Sequence, residues 1–266
     1  MKLTVMSMNV RVDVASDGVH AWPNRVVSVA DVFLTHHPIV AGIQEGLLYM
    51  LNDIMPLLPN YKFIGEGREG GENGEYCAIF YDSQVLKVKE SGQFWLSETP
   101  HQPSKGWESA CPRICTWGQF ASVSHPDAQF EVYNTHLDHM SQEAREQGAK
   151  LIWQFICRRQ GSRQIPVILM GDMNAEPNNR AIQFLRGTET IAGESAFLSD
   201  VWATTPELTG ATYHGFTGDV SGNPIDYIFV SKNITVNQVT IDREKHADRF
   251  PSDHFPIIAA LEWMLL

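Results

Sequence analysis

A chain of 266 residues with 43% hydrophobic and 19% charged side chains has an ordinary globular make-up. No Pro/Gly/Ser-rich linker or low-complexity block divides it, so it reads as one domain over 1–266. The formal net charge of −11, from 31 acidic against 20 basic side chains, leaves no basic stripe of the kind that tight binding to long duplex nucleic acid needs.

The four cysteines (Cys77, Cys111, Cys115, Cys157) are too scattered for a disulfide framework and lack the second pair of a zinc finger. Met1 to Val5 runs directly into polar Asn9, Arg11 and Asp13, without the apolar core of a signal peptide. No apolar run approaches membrane-spanning length. These features predict a soluble, cytoplasmic protein with reduced thiols.

Leu3 to Met8 alternates and predicts a strand that stops on Asn9. Trp22-Pro23-Asn24-Arg25 opens a helix, with Val26, Val29, Ala30, Phe33 and Leu34 at helical spacing, that ends before Pro38. Ile39 to Glu45 is an apolar run closed by a carboxylate. A carboxylate at a buried strand end needs a partner, either a salt bridge or a metal ion. A short helix follows over 47–58, then a strand at 61–65. The Gly- and Glu-rich loop 66–75 reads as mobile, and it lacks the Lys-Ser/Thr ending of a phosphate-binding loop.

Strands are expected at 77–81 and 85–95, followed by a long connection over 97–112 that carries His101 and Trp107 and has the length of a binding loop. Arg113 stands at the start of the next strand, as a surface charge or as a fork for phosphate oxygens. Phe130 onward predicts a strand that ends at His136, and Ser141 caps a helix to about Arg159 with Ala144, Gly148, Leu151, Ile152, Phe155 and Ile156 inward. Pro166 to Met170 is an apolar strand that delivers Asp172 and Asn174 to one side of an extended tip. A carboxylate beside a carboxamide suits a hydrated cation with a phosphate next to it. Gly, Asp and Asn would also make an ordinary turn. Pro177 with Asn178 opens another helix, Ile225 to Ser231 is a strand with Asp226 at its entry, and Ser252-Asp253-His254 leads into a last strand at 257–261.

Asn9, Glu45, Arg113, His136, Asp172, Asn174, Asp226, Asp253 and His254 recur at strand ends, where a sheet edge would collect them. The segments Ser7-Met8-Asn9, Gln44-Glu45, Asn134-Thr135-His136-Leu137-Asp138, Gly171-Asp172-Met173-Asn174, Asp226-Tyr227-Ile228 and Ser252-Asp253-His254 carry a likeness. In this order and spread, the chain resembles the endonuclease/exonuclease/phosphatase superfamily of metal-dependent phosphoesterases. Residues 134–138 and Phe94-Trp95-Leu96-Ser97 resemble the branch near its deadenylase and nocturnin-like members.

The resemblance implies a four-layer α/β sandwich: two mixed β-sheets packed face to face, with helices outside. It implies Mg²⁺ or Mn²⁺ held by Glu45 with Asn9 and Asp253. Asp172 or His254 would activate water, with Asp226 orienting His254 and Asn174 positioning the nucleophile or a phosphate oxygen. His136 and Arg113 would contact the phosphoryl group. The expected partner is a phosphoester, either a small molecule or a short single-stranded nucleic acid. A single-strand RNA or DNA 3′-exonuclease is the alternative, and base stacking by Trp95 or Trp107 would favour it. A non-catalytic phosphoester-binding relative should lack a ligand or a histidine, and every one is present. The histidines at 20, 36, 37, 125, 214 and 246 have no motif around them and read mostly as surface residues, while His139 and Arg11 lie close enough in sequence to approach the site.

Overall fold

A computed structural model describes residues 1–161, 163–205 and 210–264. Its strands are β1 (Lys2–Asn9), β2 (Val40–Gly46), β3 (Tyr61–Ile64), β4 (Tyr76–Asp82), β5 (Leu86–Trp95) and β6 (Ile114–Ser122). They continue with β7 (Gln129–His136), β8 (Val167–Asp172), β9 (Ser199–Asp200), β10 (Asp226–Val230), β11 (Thr235–Ile241) and β12 (Ile257–Glu262). The helices are α1 (Val26–His36), α2 (Leu48–Ile54), α3 (Gln142–Gln160) and α4 (Arg180–Arg186).

Two six-stranded mixed sheets form, in the orders β11-β12-β1-β2-β4-β3 and β5-β6-β7-β8-β10-β9. Their inner faces pack β1 and β2 over β8 and β7. Period-two alternation divides β1 between layers: Leu3 and Val5 join the core shared with the second sheet, whereas Met6 and Met8 meet Val29 and Phe33 of α1. Helices α3 and α4 cover the outer face of the second sheet. This is the expected four-layer sandwich.

Local chemistry sets the helix limits. The Ser141 hydroxyl accepts from the Ala144 N–H at 3.1 Å, a cap worth about 1 kcal/mol. Helix α1 ends where His37 turns left-handed at φ 46° ahead of Pro38, and its N–H bonds the Phe33 carbonyl.

Several expectations need correction. Leu34 is exposed and Val32 fills the inward position on α1, because the buried stripe lies one residue earlier. In α3, Ala149 and Trp153 are buried, while Leu151 and Phe155 only lean on the core. Helix α4 starts at Arg180, because the Asn179 side chain provides the cap to Ala181 N at 3.0 Å. Loop 66–75 folds back on itself, with Gly67 N bonding Gly71 O at 2.7 Å and Arg68 N bonding Glu75 O at 2.9 Å.

All four cysteines are free thiols. Among the described residues, no helix is long and apolar enough to cross a membrane.

Candidate active site

Strand direction brings the polar strand ends to one edge. β1 runs parallel to β2, and β7 runs parallel to β8 with His136 opposite Asp172. The antiparallel neighbours begin where those strands end: Asp226 of β10 also lies opposite Asp172, and Asp253 and His254 precede β12, which is antiparallel to β1. Gly171 makes the approach of β8 to β7 possible. Its φ is +148°, and a Cβ there would lie 1.9 Å from the Thr135 carbonyl oxygen.

Asn9 joins the two carboxylates at the centre. Its Nδ2 donates to Glu45 Oε1 at 2.9 Å and, across the sheets, to Asp172 Oδ2 at 3.0 Å. Its Oδ1 accepts from Arg11 N at 2.9 Å, which fixes the amide with its NH2 towards both carboxylates. Glu45 itself is left-handed at φ 63°, a conformation costly for a non-glycine residue, and its Oε2 is held by the Val12 N–H at 2.8 Å. Asn174 is likewise left-handed at φ 45°, with its N–H on Asp172 Oδ1 at 2.9 Å.

The two histidines are tuned in opposite directions. His254 Nδ1 lies 2.9 Å from Asp226 Oδ2, and its Nε2 lies 3.8 Å from Asp172 Oδ2. Burial alone would favour the neutral ring, but the Asp226 and Asp172 carboxylates reverse this and raise His254 to about 10. His136 is held well below its ordinary value by burial and by the nearby cations of Arg113 and His254. The Asn174 amide, anchored on the Leu137 carbonyl at 3.0 Å, donates to His136 Nε2 at 2.9 Å and so assigns that nitrogen the lone pair. Burial and the Asp226 charge push Asp172 above the usual carboxylate range. Asp253 is raised as well, by burial and by Glu45.

Arg113 lies beside Asp138, its Nε 3.5 Å from Oδ2, and its Nη2 meets His139 Nδ1 at 2.9 Å. Burial would raise Asp138, but N–H groups of Ser141, Met140 and Ala110 hold it below the usual range, so it is a charged anchor for the guanidinium. The expected residues Glu45, Arg113, His136, Asp172, Asn174, Asp253 and His254 all line one cleft of about 470 Å³. Asn9 and Asp226 are buried behind it. Arg11 also reaches the cleft, its Nε 3.7 Å from Asp253 Oδ2.

Arg68, Glu75, Cys111 and Tyr213, which stand in no motif, also line the wall. Arg68 pairs with Glu75 at 2.7 Å, and its carbonyl accepts from the Trp95 indole at 2.7 Å. The Tyr213 ring stands 5.1 Å from that of His254. Trp95 is buried and Trp107 is partly buried against the core, and neither lines the cleft. His101 is exposed, outside the cleft wall. Residues 206–209 of the 203–223 connection lie outside the described residues.

Glu45, His136 and Asp172 each offer an atom within 4.8 Å of the others. Cys77 shares a recess with His136, but burial pushes its thiol to about 12, so no thiolate joins the set. Carboxylate oxygens with at most one imidazole fit a hard divalent ion of the Mg²⁺ or Mn²⁺ kind.

Two packed mixed sheets with this cleft at their common edge define a phosphoesterase fold. The chain belongs to the Endonuclease/Exonuclease/phosphatase family, whose profile matches residues 6–254. Among solved structures it is similar to a family protein from Bacteroides thetaiotaomicron, at 32% identity over 100% of this chain and 99% of that one, with a TM-score of 0.89. It is equally similar to the Bacteroides thetaiotaomicron mannosyl-6-phosphatase Bt3783, at 32% identity over 98% and 100% of the two chains, TM-score 0.89. The human nocturnin catalytic domain, at 18% identity over 99% and 94%, TM-score 0.76, shares the fold. No curated protein matches the chain at a significant level.

Proposed function

We propose that the chain is a Mg²⁺- or Mn²⁺-dependent phosphoesterase that hydrolyses a small phosphate ester by attack of water. The observation that carries the reading is the joining of Glu45 and Asp172 through Asn9, with an Asp226-paired His254 beside them. Glu45 and Asp253 would hold the ion, which when bound polarises a phosphoryl oxygen and stabilises the departing one.

The chain's own groups then divide the work. A carboxylate above its usual range is a better proton acceptor, so Asp172 takes the proton of the attacking water. His254, kept cationic by Asp226, is a poor base and instead neutralises charge that develops on the phosphoryl oxygens. Asn174 orients the nucleophile. His136, neutral and accepting at Nε2, positions the Asn174 amide, while Arg113 pairs with a non-bridging oxygen.

A small substrate is supported by the bounded cleft, by Arg11, Arg68 and Arg113 on its wall and by the net charge of −11. The relative named as a mannosyl-6-phosphatase supports a phosphomonoester such as a sugar phosphate. The exonuclease reading has less support, since neither Trp95 nor Trp107 lines the cleft. Four free thiols support a reducing, cytoplasmic location, and we read 1–266 as one domain.

The test is a panel with and without Mg²⁺ or Mn²⁺: mannose 6-phosphate, p-nitrophenyl phosphate, bis-p-nitrophenyl phosphate, short single-stranded RNA and duplex DNA. Metal-dependent turnover of the small esters, lost in Glu45→Ala, is expected. Preference for the RNA would replace this reading with the exonuclease one, and turnover retained by Glu45→Ala would remove the metal role altogether.

A further inference from the structure

His246 and His36, which read from sequence as surface histidines, meet at the outer side of the first sheet. His246 is buried, and both rings aim Nε2 at a single atom, Asp242 Oδ2, at 2.7 Å for His246 and 2.6 Å for His36. The three atoms lie within 4.8 Å of one another, and none of these residues lines the catalytic cleft.

Asp242 is fixed in this role. Its Oδ1 accepts from Glu244 N at 3.1 Å and its N–H bonds the Pro256 carbonyl at 2.9 Å, so only Oδ2 faces the rings. Burial would raise the carboxyl, but the His36 and Glu244 hydrogen bonds and His246 hold it below the usual range, as a carboxylate.

The other ring nitrogen of His246 adds a constraint. Nδ1 faces Asp31 Oδ2 of α1 at 3.3 Å. A carboxylate on Nδ1 is the outer partner that a ligating imidazole ordinarily has, and here it holds the ring with Nε2 turned towards Asp242. The carboxylate–histidine–metal relay is the arrangement in which an outer carboxylate sets the tautomer of a ligating imidazole.

We propose that His36 Nε2, His246 Nε2 and Asp242 Oδ2 form a second metal site, oriented by Asp31, for a borderline ion of the Zn²⁺ class. Two imidazoles and one carboxylate are poor partners for Mg²⁺ and a familiar set for Zn²⁺, with the fourth position left to water. Ligand bonds of about 2.0–2.2 Å place tetrahedral neighbours about 3.3 Å apart. The rings must therefore withdraw slightly from Asp242, and His36, on the last turn of α1 and 21% exposed in its side chain, has room to do so.

The location gives the site a consequence. Asp242 and His246 begin the segment that ends in Asp253 and His254. Asp31 and His36 belong to α1, whose preceding residue Arg25 already bonds Pro251 O at 2.8 Å. An ion here would tie the segment that delivers Asp253 and His254 to α1, and its binding does not depend on the phosphoesterase reading.

The experiment is titration of metal-stripped protein with Co²⁺, followed by visible absorption, and with Zn²⁺ in competition with a chromophoric chelator. Wild type should take up one equivalent with the intense visible bands of low-coordinate Co²⁺. His36→Gln and Asp31→Asn, both at partly exposed positions and checked for folding by circular dichroism, should weaken that equivalent by about 10–100-fold. Glu45→Ala should leave it unchanged. Uptake untouched by His36→Gln but lost in Glu45→Ala would assign all binding to the cleft and overturn the proposal. Absence of any uptake into folded wild type would overturn it as well, leaving a network held by protons alone.

Discussion

Asp226→Asn separates charge from shape behind His254. Asp226 is 1% exposed, its Oδ2 lies 2.9 Å from His254 Nδ1, and asparagine can keep that hydrogen bond through its carbonyl oxygen. Burial lowers His254, yet the neighbouring carboxylates, Asp226 foremost, bring it to about 10 from an ordinary 6.5. An opposite charge at contact range accounts for about 1–3 units, at about 1.4 kcal/mol per unit. The variant's imidazole should therefore titrate about 1–3 units lower. Because the folded-state value is raised, the stability it confers is complete below the ordinary 6.5 and is lost as pH rises towards about 10. The assays are the His254 ring-proton NMR titration and urea unfolding across that window. Wild type should lose stability over the window, and the variant should lose less of it. On the proposed mechanism, kcat should fall by about 100-fold or more with little change in KM. An unmoved His254 midpoint in Asp226→Asn would refute the electrostatic account, whatever happened to the rate.

Arg25 is wholly buried and donates to four backbone carbonyls, those of His20, Val10, Pro251 and Arg11, at 2.5–2.9 Å. Arg25→Ala should cost about 3–5 kcal/mol in denaturant unfolding, since the carbonyls lose a charged donor in a dry site; a loss under about 1 kcal/mol would mean that water replaces it. Gly171→Ala should be worse than Gly42→Ala. The first drives a Cβ into the Thr135 carbonyl at 1.9 Å, whereas the second meets side-chain atoms only, the flexible Met170 at 2.7 Å and the hydrogen-bonded Asn134 at 2.8 Å, a strain of about 1–3 kcal/mol. Equal denaturation midpoints for the two would show that the β7–β8 spacing is not rigid.

The parts legible in sequence are those whose signal is local. β1, β2, β8, β10 and β12 are covered on both faces, so they read as apolar runs, and the polar residue that closes or precedes each run is visible in the same stretch. β11 gave no such run. It is an edge strand, exposed at Thr235, Asn237 and Gln238, with a bulge between Val236 and Gln238. The glycines of loop 66–75 signal turns but not the cross-loop bonds within it, and the Trp95 indole that bonds the Arg68 carbonyl lies 27 residues further along the chain. His246 and His36 are hidden for the same reason: their common partner, Asp242, is 206 residues from His36.

The cleft belongs to neither sheet alone. Each sheet contributes a parallel pair, β1 with β2 and β7 with β8, flanked by an antiparallel strand, β12 or β10, so the two halves present equivalent edges to each other. The Asn9–Asp172 bond crosses from one half to the other, and so the distance between the carboxylates of Glu45 and Asp172 is set by how closely the sheets pack. Asn134 fixes that spacing from the sandwich interior. Its Nδ2 donates to Ile43 O at 3.0 Å and Ala78 O at 2.8 Å of the opposite sheet, and its Oδ1 accepts from Gln44 Nε2 at 2.7 Å. An amide buried in an apolar core is costly unless its donors and acceptor are met, and here they are met only across the interface. Gly42 leaves the gap this contact requires. The polar residues of the interior thus act on the same variable as the residues of the cleft, the register and separation of two sheets.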